Sequence, residues 1–230
     1  MSEEILVIED GVVTDHNIYT EDPETAVVIP GGVKAIGEAV FRSARNIPAV
    51  TIPGTVQEIR DCAFQSCVGL RSAIIGAKVI GELAFEYCEK LENLVLMEGV
   101  RSIGVAAFSN CSVLKTVTIP QSVTELGEDA FSMCDELVTL TVPGSIRDIR
   151  SGAVSNCGKL QSVVLQEGVR TLGEGAFADC AQLTVAVIPG SVVYIAPDAF
   201  AYCEKLTIHA PAGSCAEAFA GENNIPFLAV

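Results

Sequence analysis

The feature that most restricts how this chain can fold is a period. Phe41, Phe64, Phe85, Phe108, Phe131, Phe177 and Phe200 recur, with Val154 in the same slot, at steps of 23 residues except 21 between Phe64 and Phe85. Three residues after each marker stands Cys67, Cys88, Cys111, Cys134, Cys157, Cys180 or Cys203; the first copy has Ala44 instead. Three further on comes Ile47, Leu70, Leu91, Leu114, Leu137, Leu160, Leu183 or Leu206. The unit reads L-x-x-[VL]-x-[IVL]-P-x-x-V-x-x-I-G-x-x-A-F-x-x-C, eight times by the Phe/Val marker. A unit this short cannot enclose a core alone, whereas stacked units bury one another's edges. At ~4.8 Å per rung, eight rungs make a rod on the order of 40 Å long.

Each column has a physical task. In the fifth copy Val117 and Ile119 lie two apart, the spacing of a strand with one buried face. Pro120 has no N–H to continue a ladder, so the strand stops there, as at Pro30, Pro53, Pro143 and Pro189. Gly76, Met97 and Gln166 replace proline in three copies. Val123 and Leu126 mark a second inward-pointing stretch, and Gly127 permits a turn. Glu128-Asp129-Ala130-Phe131 reads as one short helical or 3₁₀ turn with acids at its positive end. The Phe fills the coil, where a buried ring removes roughly 150–250 Å² from water. Two copies depart from the pattern. The third is two residues short before Phe85, which predicts a tightened loop and a local irregularity. The sixth has Val154 for Phe and Arg150 for Gly, which predicts repacking or a small void.

The ends are predicted to be covers. Residues 1–26 contain "ILVIEDGVVTD", a hairpin pattern with Asp10-Gly11 as its turn. Residues 208–230 contain a short helix pattern with Ser214 as N-cap and Glu217 three places later, then a returning strand in "IPFLAV". The chain thus divides into a cap (1–26), eight repeats (27–207) and a cap (208–230), as one structural domain.

These columns resemble the BspA-like leucine-rich repeat family, and "AGSCAEAFAGENNIPF" is similar to the C-terminal cap found on such arrays. The resemblance spans about residues 27–230. It implies a right-handed superhelical solenoid with a parallel β-sheet on one face and short helical or 3₁₀ turns and loops on the other. It also implies binding, not catalysis, and some members are bacterial surface proteins that adhere to host matrix or to other cells.

Charge narrows the partners. The formal net charge is −15, and residues 1–26 hold Glu3, Glu4, Glu9, Asp10, Asp15, Glu21, Asp22 and Glu24 with no Lys or Arg. Such a chain repels polyanions, which argues against nucleic acid. No apolar run approaches the ~18 residues needed to span a bilayer, so membrane insertion is not expected. "MSEEILVIED" is acidic where a secretory signal needs a basic start and a longer apolar stretch. The expected compartment is therefore the cytoplasm, with the cell surface or secretion as the alternative.

Residue chemistry gives little support for an enzyme, and none is expected. Only Cys62 and Cys67 have zinc-like spacing, with no second pair to complete a site, so no metal or other cofactor is expected. In-register cysteines ~4.8 Å apart point the same way and do not suit disulfides. The column reads instead as a small, mildly apolar residue filling a fixed slot. Cys62 and Cys215 lie off it and are the more accessible thiols. His16 and His209 sit in opposite caps, too far apart to build a nucleophile–base pair.

Repeat columns become stripes on a solenoid. The outward strand position holds Thr51, Ile74, Val95, Thr118, Thr141, Val164 and Val187; two residues earlier stand Ala49, Ser72, Asn93, Thr116, Thr139, Ser162 and Val185. Neither column carries a charge. This face is either a docking surface for a protein partner or an expression of strand propensity. A second stripe holds Lys34, Lys78, Arg101, Arg147 and Arg170, with an acidic column of Glu38, Asp61, Glu82, Glu128 and Glu174 nearby. Either the columns neutralise one another or the basic one is a track for an acidic ligand. The expected function is a non-catalytic protein-interaction scaffold using the sheet face, and the alternative is an adhesin.

Overall fold

The structure is a computed structural model that describes residues 5–18 and 24–230. Of the acidic N-terminal stretch, Glu3, Glu4, Glu21 and Asp22 lie outside the described residues. Strands β1 (Leu6–Glu9) and β2 (Val12–His16) form the expected antiparallel hairpin. Asp10 and Gly11 turn it at φ 50° and 79°, the two successive positive values that a type I′ turn needs.

In chain order the rungs then contribute β3 (Val27–Val28) and β4 (Ala35–Ile36), β5 (Ala49–Ile52) and β6 (Glu58–Ile59), β7 (Ser72–Ile75) and β8 (Val79–Ile80), and β9 (Asn93–Leu96) and β10 (Ser102–Ile103). The fifth rung contributes only β11 (Glu125–Leu126). There follow β12 (Thr139–Val142) and β13 (Asp148–Ile149), β14 (Ser162–Leu165) and β15 (Thr171–Leu172), β16 (Val185–Val187) and β17 (Tyr194–Ile195), then β18 (Thr207–Ala210). Each pairs in parallel with the equivalent strand of at least one neighbouring rung, so the chain is a parallel solenoid. One side carries β3-β5-β7-β9 and, further along, β12-β14-β16-β18. A second side carries β2-β4-β6-β8-β10-β11 and then β13-β15-β17.

The third side corrects one expectation. The Phe-bearing segment is a run of turns, not a helical or 3₁₀ turn. Residues at positive φ recur four apart in each of the first seven rungs, as Cys62 and Ser66, Asp129 and Met133, or Gly152 and Asn156. This interrupts any right-handed helix. The freed N–H groups reach the next rung: Cys62, Phe64 and Ser66 donate to the carbonyls of Glu82, Ala84 and Glu86 at 2.7–2.8 Å. Asp129, Phe131 and Met133 do the same to Ser151, Ala153 and Ser155. Hydrogen bonds between rungs thus run along all three sides, and none of the buried backbone polarity depends on a helix.

Inside, Phe41, Phe64, Phe85, Phe108 and Phe131 stack with centroids 4.7–5.3 Å apart and planes within 11°. His16 extends the stack onto the N-terminal hairpin, 5.0 Å from Phe41. Its Nδ1 accepts the Ile18 N–H, and burial pulls its pKa below the ordinary value. Val154, fully buried, interrupts the column before Phe177 and Phe200 resume it. The C-terminal end is closed by α1 (Cys215–Glu222) and β19 (Phe227–Ala229), which pairs with β18. The Ser214 hydroxyl accepts the Glu217 N–H, and the Glu217 carboxylate accepts the Gly213 N–H, so the start of α1 is fixed by a variant of the capping box whose return bond falls one residue before the N-cap.

Each buried cysteine of the column donates its S–H to the marker carbonyl of the preceding rung, 26 residues earlier or, for Cys88 in the short third rung, 24, at 3.0–3.5 Å: Cys67 to Phe41, Cys134 to Phe108, Cys203 to Phe177 and so through all seven. The slot therefore wants a small apolar side chain with a weak donor, which describes cysteine. All nine thiols are free. Burial pushes Cys67 and Cys134 up to about 12, so these thiols stay protonated at neutral pH. A thiol reagent at pH 8 is expected to modify only Cys62 and Cys215, both half-buried, until the chain is unfolded. Counting labels by mass spectrometry on native protein checks this, and fast labelling of any column cysteine contradicts it.

Prolines set the length of the first-side strands. A rung that carries the strand-ending proline and is followed by another such proline has lost a ladder donor above and below. Rungs 1 (Pro30 before Pro53), 5 (Pro120 before Pro143) and 8 (Pro189 before Pro211) are of this kind. Their first-side strands have two, no and three residues, whereas those of rungs 2, 3, 4, 6 and 7 have four. The shortened third rung, by contrast, pairs fully on both sides. Its loop is tight, since a Cβ on Gly76 would lie 2.6 Å from the Gly54 nitrogen. The irregularity expected there falls at rung 5 instead. On the second side the ladder stops between β11 and β13, at the rung where Arg150 replaces glycine. Arg60 and Ala196 fill the same slot with their ladder bonds intact, so the side chain alone does not cause the break.

Candidate functional site

The outward residues of the first side are brought into register as predicted. Thr51, Ile74 and Val95 align across β5-β7-β9, and Thr141, Val164 and Val187 across β12-β14-β16. Asn93 and Thr139 take the neighbouring column, and Thr116 meets Thr139 through a single bridge. Ile74, Asn93, Val95, Thr116, Thr118, Thr139, Thr141 and Val164 are exposed, Thr51 and Val187 half-buried. Val95, on the edge strand β9, is 50% exposed, a large value for an uncharged β-branched residue.

The face is not uniform. Residues 116–119 form no strand, and beside them opens a groove of ≈ 550 Å³ lined by Thr116, Thr118, Pro120, Gln121, Thr139 and Thr141, with Glu98 at its edge. It is larger than the grooves at the two ends of the rod, of ≈ 470 and ≈ 320 Å³. The core shows through on either side of the break between rungs 4 and 5. Leu94, Leu96, Val117 and Ile119 are 5–8% exposed, while the same inward positions of the other rungs are 0–2% exposed. Gln121 Nε2 donates to Gln166 Oε1 at 2.6 Å and so spans two rungs along the groove.

The basic stripe is also assembled. Main-chain bonds join Arg101 to Lys78, Thr124 to Arg101 and Arg170 to Arg147, which places the column along one line. Among the described residues the ion pairs are Arg60–Glu58, Arg71–Glu24 and Lys159–Glu136. None uses Lys34, Lys78, Arg101, Arg147 or Arg170, so direct pairing with the acidic column does not neutralise the stripe. Lys78 instead donates to Gln57 Oε1 at 2.7 Å. Among the described residues no cluster of three or more His, Cys, Asp or Glu is placed to hold a metal ion, and no helix is long and apolar enough to cross a membrane.

The family model of the BspA type leucine rich repeat region matches residues 15–79 and 78–207, in six copies. The chain belongs to the BspA-type leucine-rich repeat family. A crystal structure of a leucine-rich repeat protein from T. pallidum is 31% identical, with a TM-score of 0.66 over 80% of this chain and 87% of that one. A leucine-rich repeat protein from Bacteroides ovatus, 24% identical, shares the fold with a TM-score of 0.64 over 97% of this chain and 74% of that one. Among curated proteins none matches.

A BspA-type repeat read column by column misses the residues beyond the strand. Glu98, Gln121 and Gln166 line the groove but sit in the turn after it. One signal was available: Gln121 follows Pro120 where Gly31, Gly54, Gly144 and Gly190 follow the other prolines. It puts a long polar side chain where the other proline-bearing rungs have glycine.

Proposed function

We propose that this chain is a non-catalytic scaffold that binds a protein partner through the first-side sheet face, centred on Val95, Thr118 and Thr141. The observation that carries this reading is the uncharged, β-branched surface continuing across the rungs and opening, at rung 5, into a groove of ≈ 550 Å³. On a chain of net charge −15, an exposed face without a charge in either column fits a surface that is desolvated on binding. Adhesion to a host matrix or a neighbouring cell is the alternative. It employs the same face and requires the protein outside the cell.

The double substitution Thr118→Lys with Thr141→Lys places two ammonium groups in the groove without touching a buried residue. Capture of the partner recovered by pull-down from the source cell is expected to fall at least a hundredfold, with far-UV circular dichroism and melting temperature unchanged. Undiminished capture would rule the sheet face out. Titrating salt in the same assay separates the two stripes. Release through the basic column is steep with ionic strength, and release from the uncharged face is shallow.

A further inference from the structure

The first-side sheet is interrupted in its middle, and the interruption leaves main-chain groups open. Among the described residues no main-chain hydrogen bond joins residues 92–97 to 115–120. In the intact rungs the bonds alternate, as in Ser72 N–H to the Pro48 carbonyl and Ile29 N–H to the Thr51 carbonyl. By that pattern Thr116 and Thr118 would donate to Glu92 and Leu94, while Leu94 and Leu96 would donate to Thr116 and Thr118. None of these bonds is made. Where Gly76 donates to Ile52, rung 5 has Pro120, which has no N–H to give. Rung 5 is held by its other two sides, through Ser102–Glu125 and Ile103–Leu126 pairing and the Phe108 N–H to the Ala130 carbonyl. The opening is thus built into a rung that stays in place.

An unpaired strand edge, here with a groove that continues from it over rungs 5 to 7, has one natural complement, an extended polypeptide whose carbonyls and N–H groups alternate with the same period. Glu98 is the charged residue lining the groove, and the rest of the lining is Thr, Pro, Gln, Val and Ile. We propose that the break at rung 5 receives an extended segment of a partner protein as an added strand, uncharged through its centre and carrying a Lys or Arg at the end beside Glu98. This rests on the sheet-face reading above and names how that face would bind.

A display library of linear twelve-residue peptides, panned on the intact protein, supplies the probe. The expected outcome is enrichment of sequences with an uncharged centre and one basic end. A synthetic copy should slow amide exchange at Leu94, Leu96, Thr116 and Thr118. N-methylation of its alternate residues in one register should weaken binding at least tenfold, and methylation in the other register should do less. Binding that tolerates every N-methylation, or a library that yields no binder against a control surface, overturns the added strand. Ile74→Lys and Val164→Lys lie on the same face away from the break. If they abolish peptide binding while N-methylation is tolerated, the face remains a binding surface and the added strand falls. If peptide binding survives those and the Thr118→Lys/Thr141→Lys pair alike, both readings fall together.

Discussion

Phe108→Ala is expected to lower the unfolding free energy by about 3–5 kcal/mol, the range for truncating a fully buried aromatic ring. Phe108 is fully buried between two parallel rings, Phe85 and Phe131, each 5.3 Å away. Removing it deletes the transfer energy of the ring, two ring contacts, and the support that one rung gives each neighbour. Against a usual total of about 5–15 kcal/mol, that is a large share. Phe200→Ala makes the comparison. Its ring is slightly exposed and has one parallel neighbour, Phe177, the other, Phe219, being tilted by 58°. Urea denaturation followed by far-UV circular dichroism should rank Phe108→Ala clearly below Phe200→Ala. Equal costs would mean that the column fills space without its members supporting one another.

The second large effect is expected from a single methyl group. A Cβ on Gly144 would lie 1.8 Å from the Glu167 carbonyl oxygen and 2.7 Å from its carbon. Both obstacles are main chain, so relief requires rungs 6 and 7 to separate. Gly144→Ala should cost about 1–3 kcal/mol or more, as overpacking does when no side chain can yield. Gly31→Ala, at the equivalent place in rung 1, meets nothing within 4 Å. It should be neutral or stabilise by a few tenths to about 1 kcal/mol through the unfolded chain. Opposite signs at two glycines in the same column are the result to look for in paired denaturation curves. Like signs would show that rung 7 does not press on rung 6.

Much of this molecule could be read from its columns. The Val, Ile, Leu and Phe positions expected to point inward are the ones buried, the Asp10-Gly11 hairpin and the Ser214 cap form as expected, and the outward positions align into one face. The cysteine column was legible as structural; its S–H bonds to the preceding rung were not, because nothing local marks a carbonyl 26 residues away as the acceptor. The turn segment was misread as helical because acids followed by Ala-Phe suit a helix start. Gly152 and Gly175 in one column, and Asn110, Asn156 and Asp179 in another, carried the contrary signal, since these residues tolerate positive φ.

What the letters alone establish, then, is everything that depends on one rung at a time. Which residues face inward, where a strand must stop, what fills the coil and how the ends are closed all follow from side-chain period and local backbone preference. What the folded rod adds is which rungs join. A ladder bond needs a donor from one rung and an acceptor from the next, so pairing belongs to residues a full period apart. Pro120 is harmless in its own rung; with Pro143 above it and Leu96 below it, the same residue opens the sheet at the groove beside Thr118.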